Sequence, residues 1–265
     1  MSGSLQRIYA LVLRHIYLWR SSVMRLVDSI YWPAVQMVMW GFMTQYLLPQ
    51  ASFVAQAAGV LLSGLLLWEV VVRGNLSLSI AFLEEIWSRN LGHLFVSPIR
   101  SWELAAGIII ASLLRTLLGM IPVSLLAWAF FGYSVYTLGL PLLAFFVILQ
   151  MFSWSIGLAM SGLVMRVGQS AESFAWAAVF VLMPVSGVYY PVSVLPHWLQ
   201  VVAWGLPPAY IFEGMRSIML ENTVHWDLLG VAFGLSAVYL VIGFQVFQWF
   251  FRSSRRAGSL LGQGE

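Results

Sequence analysis

The chain has 265 residues, of which 61% are hydrophobic and 9% are charged, with a formal net charge of +3. A soluble domain carries roughly 25% charged residues, so this composition excludes an ordinary soluble domain and indicates an all-α integral membrane protein. The chain contains no cysteine, which excludes disulfides, thiolate metal sites and cysteine nucleophiles, and all 13 basic residues are arginine.

The N-terminal segment, residues 1–26, has the pattern of an amphipathic helix lying in the membrane interface. Its apolar residues recur every three or four positions, whereas Arg7, Arg14 and Arg20 fall largely off that face. The expected apolar face comprises Leu5, Ile8, Tyr9, Val12, Leu13, Ile16 and Trp19. We expect this helix to anchor the chain.

Six apolar stretches are long enough to cross a bilayer, because a spanning helix needs about 20 apolar residues. They run over residues 27–48, 54–76, 104–131, 138–165, 171–190 and 228–251. The sequence therefore predicts spans one and two within 27–80, spans three to five within 101–190 and span six within 227–251.

Arginine placement orients the predicted spans. Most arginines lie in the N-terminal segment, in residues 81–100 and in the C-terminal tail, 252–265. Short cytoplasmic segments carry an excess of arginine and lysine, so we expect these three segments and both termini to be cytoplasmic. Residues 191–226 then lie outside the cell.

Residues 191–226 are too weakly apolar to cross the membrane. Their longest apolar piece, 198–206, has nine residues and would cover about 14 Å as a helix. We predict a short extracellular re-entrant helix pair here, with Trp198, Trp204 and Tyr210 at the interface.

Three charged residues, Glu69, Arg73 and Arg115, lie well inside predicted spans and away from the span ends, where charge is costly and is usually paired or faces a cavity. Glu69 and Arg73 are four residues apart, in the order that favours pairing on a helix. Two arrangements stay open. Glu69 pairs with Arg115 across spans two and three, or Glu69 pairs only with Arg73 and Arg115 faces water in a translocation path.

Small residues recur at helical spacing in two spans and permit close helix packing. Ser153, Gly157 and Ser161 form one such face, and Gly230 and Gly234 form another. Either face fits a contact within the subunit or between subunits, and we expect packing within the subunit.

The sequence offers no catalytic site and no metal site. A phosphate-binding loop requires a lysine, and the chain has none. Its four histidines are scattered near or beyond the predicted span ends. We therefore expect a protein that is not itself an enzyme.

The segment "LEEIWSRNLGHLFVSPIR", residues 83–100, is an island of charge between apolar runs. Read as a helix over residues 81–96, it gathers Glu84, Glu85 and Arg89 towards one side, away from Trp87. An amphipathic helix of this kind fits a partner's groove, whereas the alternative is a solvated loop helix without a partner.

The chain resembles the type-2 permeases of ABC exporters, which move polysaccharides, lipids or drugs. The resemblance covers essentially the whole length. It includes the coupling-helix segment "EEIWSRNLGHLFVSPI" and "MPVSGVYYPVSVLPHWLQVVAWGLPPAYIFEGMR", residues 183–216. One departure is Pro207-Pro208 with Tyr210, where many members have Asn-Pro.

The resemblance implies that two copies, or two related permeases, form the path in the inner (plasma) membrane, surrounded by lipid. Two copies of a separate cytoplasmic ABC ATPase would dock and hold ATP and Mg, and this chain would bind no cofactor and no nucleic acid. The implied coupling residues are Glu84, Glu85, Trp87, Arg89, Asn90 and His93. The implied extracellular gate residues are Tyr189, Tyr190, Pro191, Pro196, Trp198, Pro207 and Pro208.

Two other functions fit the composition. An ion-coupled secondary transporter would place titratable groups at the bilayer midplane, where Glu69 and Arg115 are the candidates. A non-transporting scaffold subunit would need no such groups. The sequence does not distinguish a polysaccharide, lipid or drug as substrate.

Overall fold

The computed structural model describes residues 3–21, 23–47, 52–87, 98–168 and 171–257, and these residues are almost entirely helical with no strand among them. Nine α-helices follow one another in these ranges, with short 3-10 turns at Val135–Leu138 and Val192–Val194. The helices are α1 Gly3–Arg20, α2 Val23–Leu47, α3 Ser52–Trp87, α4 Ser101–Phe131, α5 Leu140–Val167, α6 Ala171–Val185, α7 His197–Trp204, α8 Pro207–Glu221 and α9 Trp226–Ala257.

The N-terminal helix forms as predicted and packs along α4. The side facing the bundle carries Leu11, Val12, His15 and Trp19, all of which are buried. Leu5, by contrast, is 53% exposed. The bundle therefore covers one edge of the apolar face and leaves the rest open, which suits a helix that also contacts lipid.

Helix α3 lies at the centre of the bundle and packs against α2, α4, α5, α6 and α8. In the apolar 18-residue segment of α3, 83% of the residues are buried inside the protein. Trp68 and Leu66 are 1% and 0% exposed. The other helices are thus positioned relative to α3.

Helix α3 also corrects the predicted boundary between span two and the charged island. The expectation that a separate helix begins at 81 is wrong, because α3 continues to Trp87. The residue at which span two leaves the membrane stays a prediction. Leu78 and Phe82 are fully buried, and the Phe82 ring meets Phe247 of α9 edge-on with ring centroids 5.6 Å apart. This burial favours an unbroken helix through the predicted boundary.

The small residues of α5 pack against α3, as expected. A Cβ atom added at Gly157 would lie 3.0 Å from the carbonyl oxygen of Asn75 and 3.0 Å from Cβ of Leu78. For Gly230 and Gly234 of α9, the expectation of packing within the subunit is wrong. A Cβ at either glycine would meet no described atom within 4 Å, because that face of α9 points away from the bundle.

Four of the described helices are long and apolar enough to cross a membrane: Gly59–Glu84, Ser101–Phe131, Leu140–Val167 and Trp226–Ser254. Neither α2, with 25 residues, nor α6, with 15, is among them. The predicted number of six spans stays a prediction. Helix α6 ends five residues before the expected residue 190, since the chain turns at Gly187, whose φ is +65°.

The contact between α3 and α5 predicts that Gly157→Leu is destabilising. The added side chain must displace α3, and overpacking of this kind costs about 1–3 kcal/mol. We expect Tm in detergent to fall by several degrees. The matched control is Gly234→Leu, which gains the same helix propensity but faces open space. Equal Tm values for the two variants would contradict this packing.

Candidate functional site

A cavity of about 380 Å³ between α2, α3, α4 and α6 is lined by Glu69, Arg73 and Arg115, the three charged residues that lie well inside the predicted spans. The carboxylate of Glu69 and the guanidinium groups of Arg73 and Arg115 share it with aromatic and aliphatic side chains. The remaining lining residues are Trp32, Gln36, Val72, Leu76, Ser77, Ile80, Trp176 and Phe180. The structure thus gathers charge at membrane depth in one place.

The ion pair predicted from spacing on α3 is present. Nε of Arg73 lies 3.4 Å from Oε2 of Glu69, and Glu69 is 3% exposed. Arg115 enters the same cavity from α4. Its pairing with Glu69 stays a prediction.

Helix α4 contains a glycine where the Arg73 side chain reaches it. A Cβ at Gly119 would lie 2.9 Å from Nη1 of Arg73 and 3.0 Å from its Cζ. The guanidinium therefore lies close against the backbone of α4, in space that any larger residue at 119 would occupy. This contact permits the close approach of α3 and α4 at the depth of the ion pair.

One side of the cavity is aromatic. The rings of Trp176 and Phe180 on α6 stack with centroids 6.1 Å apart and an interplanar angle of 21°, and Trp32 of α2 contributes a third ring. A cavity with few polar groups and a largely apolar wall is the usual form of a small-molecule site. Among the described residues, no three His, Asp or Glu side chains cluster as metal ligands.

The predicted gate residues divide into three groups. Tyr189 stacks on Trp40 of α2, with centroids 4.9 Å apart, so this part of the gate contacts the first predicted span. Pro207 and Pro208 are buried at the start of α8. The other members form a more exposed group, consisting of Tyr190, Pro191, Pro196 and Trp198.

The family comparison covers these same elements. Residues 9–220 match the model of the ABC-2 type transporter family, which spans α1 to α8 and includes the cavity and the gate. The chain belongs to this family. It is therefore the membrane-spanning permease component of an ABC transporter. No curated protein matches the chain.

An ion pair on α8 of the permease, not assigned to the site from the sequence, holds the loop of the predicted gate. Arg216 is 6% exposed, and its Nη2 donates to the carbonyl oxygen of Gly187 over 2.7 Å. It also donates to Glu213, whose Oε1 accepts the backbone N–H of Val192 over 2.6 Å. The Glu-x-x-Arg spacing on α8 is a sequence signal for this pair, since residues three apart are neighbours on a helix surface.

A second ion pair fixes the N-terminal helix of the permease. Arg7 donates from Nη2 and Nε to the two carboxylate oxygens of Glu103 on α4, over 2.6 and 2.9 Å. Glu103 is buried and also accepts the backbone N–H of Arg100. The hydrogen bond to the carboxylate raises the pKa of Arg7 above its usual value. The partners are 96 residues apart, so no local pattern predicts the pair.

The predicted coupling residues of the permease are only partly described. Glu84, Glu85 and Trp87 lie in the last turns of α3, and Glu84 is half-buried. Arg89, Asn90 and His93 lie outside the described residues, as do residues 88–97 in general. Their contact with an ATPase stays a prediction.

The buried ion pair of the permease predicts strong coupling between Glu69 and Arg73. Removing one partner leaves the other charge buried, so Glu69→Gln destabilises the protein more when Arg73 is present than in an Arg73→Gln background. We expect a coupling free energy of roughly 0.5–3 kcal/mol from thermal unfolding of the four proteins.

The matched control for that cycle is the exposed pair of His225 and Asp227. These side chains are 46% and 78% exposed, and the closest atoms are 3.9 Å apart. The cycle of His225→Gln and Asp227→Asn should give less than about 0.5 kcal/mol. A Glu69–Arg73 coupling no larger than the control value would contradict a buried pair.

Proposed function

We propose that this permease is the membrane subunit of an ATP-driven exporter, with separate ATPase subunits docking on residues 81–100. The observation that supports this most directly is the continuity of α3. One helix carries the Glu69–Arg73 pair in the cavity and, 15 residues later, the acidic end at Glu84 and Glu85. At 1.5 Å per residue the two sites are about 22 Å apart along the helix axis.

A rigid helix of this kind transmits displacement. An ATPase that moves the end of α3 at Glu84 would move the cavity walls formed by α3 relative to α4 and α6. Because buried residues pack at high density, such a movement shifts whole helices rather than single side chains. The stacking of Tyr189 on Trp40 links the same movement to the gate.

The proposed assembly has two permease copies, or this chain with a related permease, and two ATPase subunits. ATP and Mg belong to the ATPase, because a chain without lysine cannot form the phosphate-binding loop. We place the assembly in the inner (plasma) membrane with both termini in the cytoplasm. This orientation rests on the arginines of the two ends and of residues 81–100.

The proposed topology has six spans. Helix α2 has 25 residues and would be about 37 Å long, which is sufficient for a hydrocarbon core of about 30 Å. Helix α6, together with the turn that follows it, would form span five. Helices α7 and α8, with 8 and 15 residues, form the proposed extracellular gate between spans five and six.

The cavity with Glu69, Arg73 and Arg115 is the proposed position of the translocation path. Its charged residues suit polar parts of a substrate, and the rings of Trp32, Trp176 and Phe180 suit sugar faces or acyl chains. An ion-coupled transporter would instead use the protonation of Glu69. The two functions differ in whether transport requires ATP and a bound ATPase.

The experiment that tests the proposal is charge reversal at the end of α3. Replacing Glu84 and Glu85 by Arg, and Arg89 by Glu, should lower the amount of co-purified ATPase at least roughly tenfold, which corresponds to about 1.4 kcal/mol. ATP-dependent transport in vesicles should fall with it. The reason is that charged groups of the ATPase groove, which attract the native residues 84, 85 and 89, would then face charges of their own sign and be repelled.

The matched control is Glu221→Arg. Glu221 is exposed at the end of α8, on the side that the arginine distribution places outside the cell. This variant should keep the ATPase and its transport activity. Unchanged co-purification and transport in the Glu84/Glu85/Arg89 variant would rule out residues 81–100 as the coupling segment.

A further inference from the structure

A second cavity lies between α3, α4 and α5 and shares no lining residue with the first. Its volume is about 560 Å³, within the range of about 300–1,000 Å³ that small-molecule sites occupy. No charged residue is among those that line it. The lining consists of Leu66, Leu67, Val70, Leu113, Leu117, Met120, Ile121, Ser124, Val135, Tyr136, Gly139, Leu142, Leu143, Phe146, Val147, Gln150 and Trp154.

The deep end of this groove contains polar atoms without partners. Gln150 is 1% exposed, and neither its amide nitrogen nor its amide oxygen makes a hydrogen bond with any residue that the structure describes. One helical turn further along α5, Nε1 of Trp154 is also buried without an acceptor. Buried polar groups almost always have a partner, so two donors and an acceptor left open at one site indicate a missing molecule.

The position of Gln150 in the membrane limits what that molecule is. Gln150 lies ten residues into α5, about 15 Å from the start of the helix and therefore near the middle of a hydrocarbon core of about 30 Å. The headgroups of ordinary bilayer lipids lie at the interface, far from this depth. A group that reaches Gln150 must belong to a molecule that enters the bundle.

The mouth of the groove opens on the outer surface of the bundle. Leu143, Ile121 and Val147 line it and are 65%, 52% and 41% exposed. Near the predicted outer end, the hydroxyl of Tyr136 lies 3.0 Å from Oγ of Ser124. The groove therefore has an apolar entrance on the side where hydrocarbon lies, and its unpartnered polar groups lie deepest.

We propose that this groove binds an uncharged amphiphile from the bilayer, an alcohol with an apolar chain, whose hydroxyl meets Gln150 and Trp154. A hydroxyl accepts a hydrogen bond from the indole N–H or the amide NH₂ and donates one to the amide oxygen. A single hydroxyl group can therefore bond both an unpartnered donor and the unpartnered acceptor. A charged headgroup is disfavoured because the lining offers no opposite charge at a depth where ions are costly. The site is independent of the proposed ATPase coupling and of the first cavity.

The test uses the intact permease in phosphatidylcholine nanodiscs and a long-chain alcohol that carries a diazirine on its chain. Illumination should label lining peptides of α4 and α5, and excess unmodified alcohol should compete. Three probes with the same chain serve as comparisons: the methyl ether, the ionised carboxylate and the ammonium. Each should label less than the alcohol.

The decisive variant is Gln150→Leu, which removes the amide while keeping a side chain of similar size. Because this amide has no partner in the protein, the variant should keep its Tm. Labelling by the alcohol should fall about fivefold or more, the effect expected from losing one or two hydrogen bonds. Trp154→Phe should reduce labelling in the same direction, and the control Gln245→Leu on the exposed face of α9 should not.

Two results would overturn the proposal. If the alcohol and its methyl ether label equally and Gln150→Leu changes neither, the groove holds hydrocarbon chains or water without recognising a hydroxyl. If Gln150→Leu lowers the Tm and Trp154→Phe leaves labelling unchanged, the amide serves packing within the protein.

Discussion

The arrangement of this permease depends on the need to pair charge inside the hydrocarbon. Glu69 and Arg73 meet this need on a single helix, with Nε and Oε2 3.4 Å apart and the carboxylate almost fully buried. An exposed pair would gain little, but a buried one requires that surrounding helices exclude lipid from it. That requirement explains why α3 is the most enclosed of the candidate spans, with 83% of its apolar window buried. It also explains the glycine at position 119, where α4 approaches the guanidinium.

The helices around α3 are held at both ends by further ion pairs. On the predicted cytoplasmic side, Arg7 joins α1 to Glu103 at the start of α4. On the predicted outer side, Glu213 and Arg216 join α8 to the loop that contains Gly187 and Val192. The first pair fixes the peripheral α1 to the long α4, and the second fixes the loop after α6 to α8. The middle of the bundle contains the two cavities, and both are lined by residues of α3 and α4.

Much of the fold follows from the sequence. The starts and ends of α2, α4, α5 and α9 lie within a few residues of the predicted spans, because long apolar runs leave little choice in a membrane. The continuity of α3 was missed, since the polar residues after Leu78 suggested a boundary while the burial of Leu78 and Phe82 against neighbouring helices removed it. A hydropathy profile depends only on the residues of one segment, so it does not reveal contacts with helices distant in sequence.

The candidate site was predicted in part. The i,i+4 spacing of Glu69 and Arg73 gave the ion pair, but the wall formed by Trp32, Trp176 and Phe180 depends on how α2 and α6 pack. Neither Arg7–Glu103 nor the open amide of Gln150 has a local signature, because both depend on residues distant in sequence. The family match covers residues 9–220 and agrees with the resemblance seen in the coupling and gate segments.

We propose that α3 moves as one rigid body between its predicted coupling end and the first cavity. The distance between two spin labels at positions 61 and 86, measured in the complex with its ATPase, tests this, since the chain has no cysteine of its own to interfere. The labels lie on either side of the α3 residues that line the cavity, and 25 residues of helix separate them by about 37 Å. If α3 is rigid, this distance is the same with and without ATP, while the distance from position 86 to position 241 on α9 changes. A shift within α3 on adding ATP, with the distance to α9 unchanged, would contradict a rigid α3.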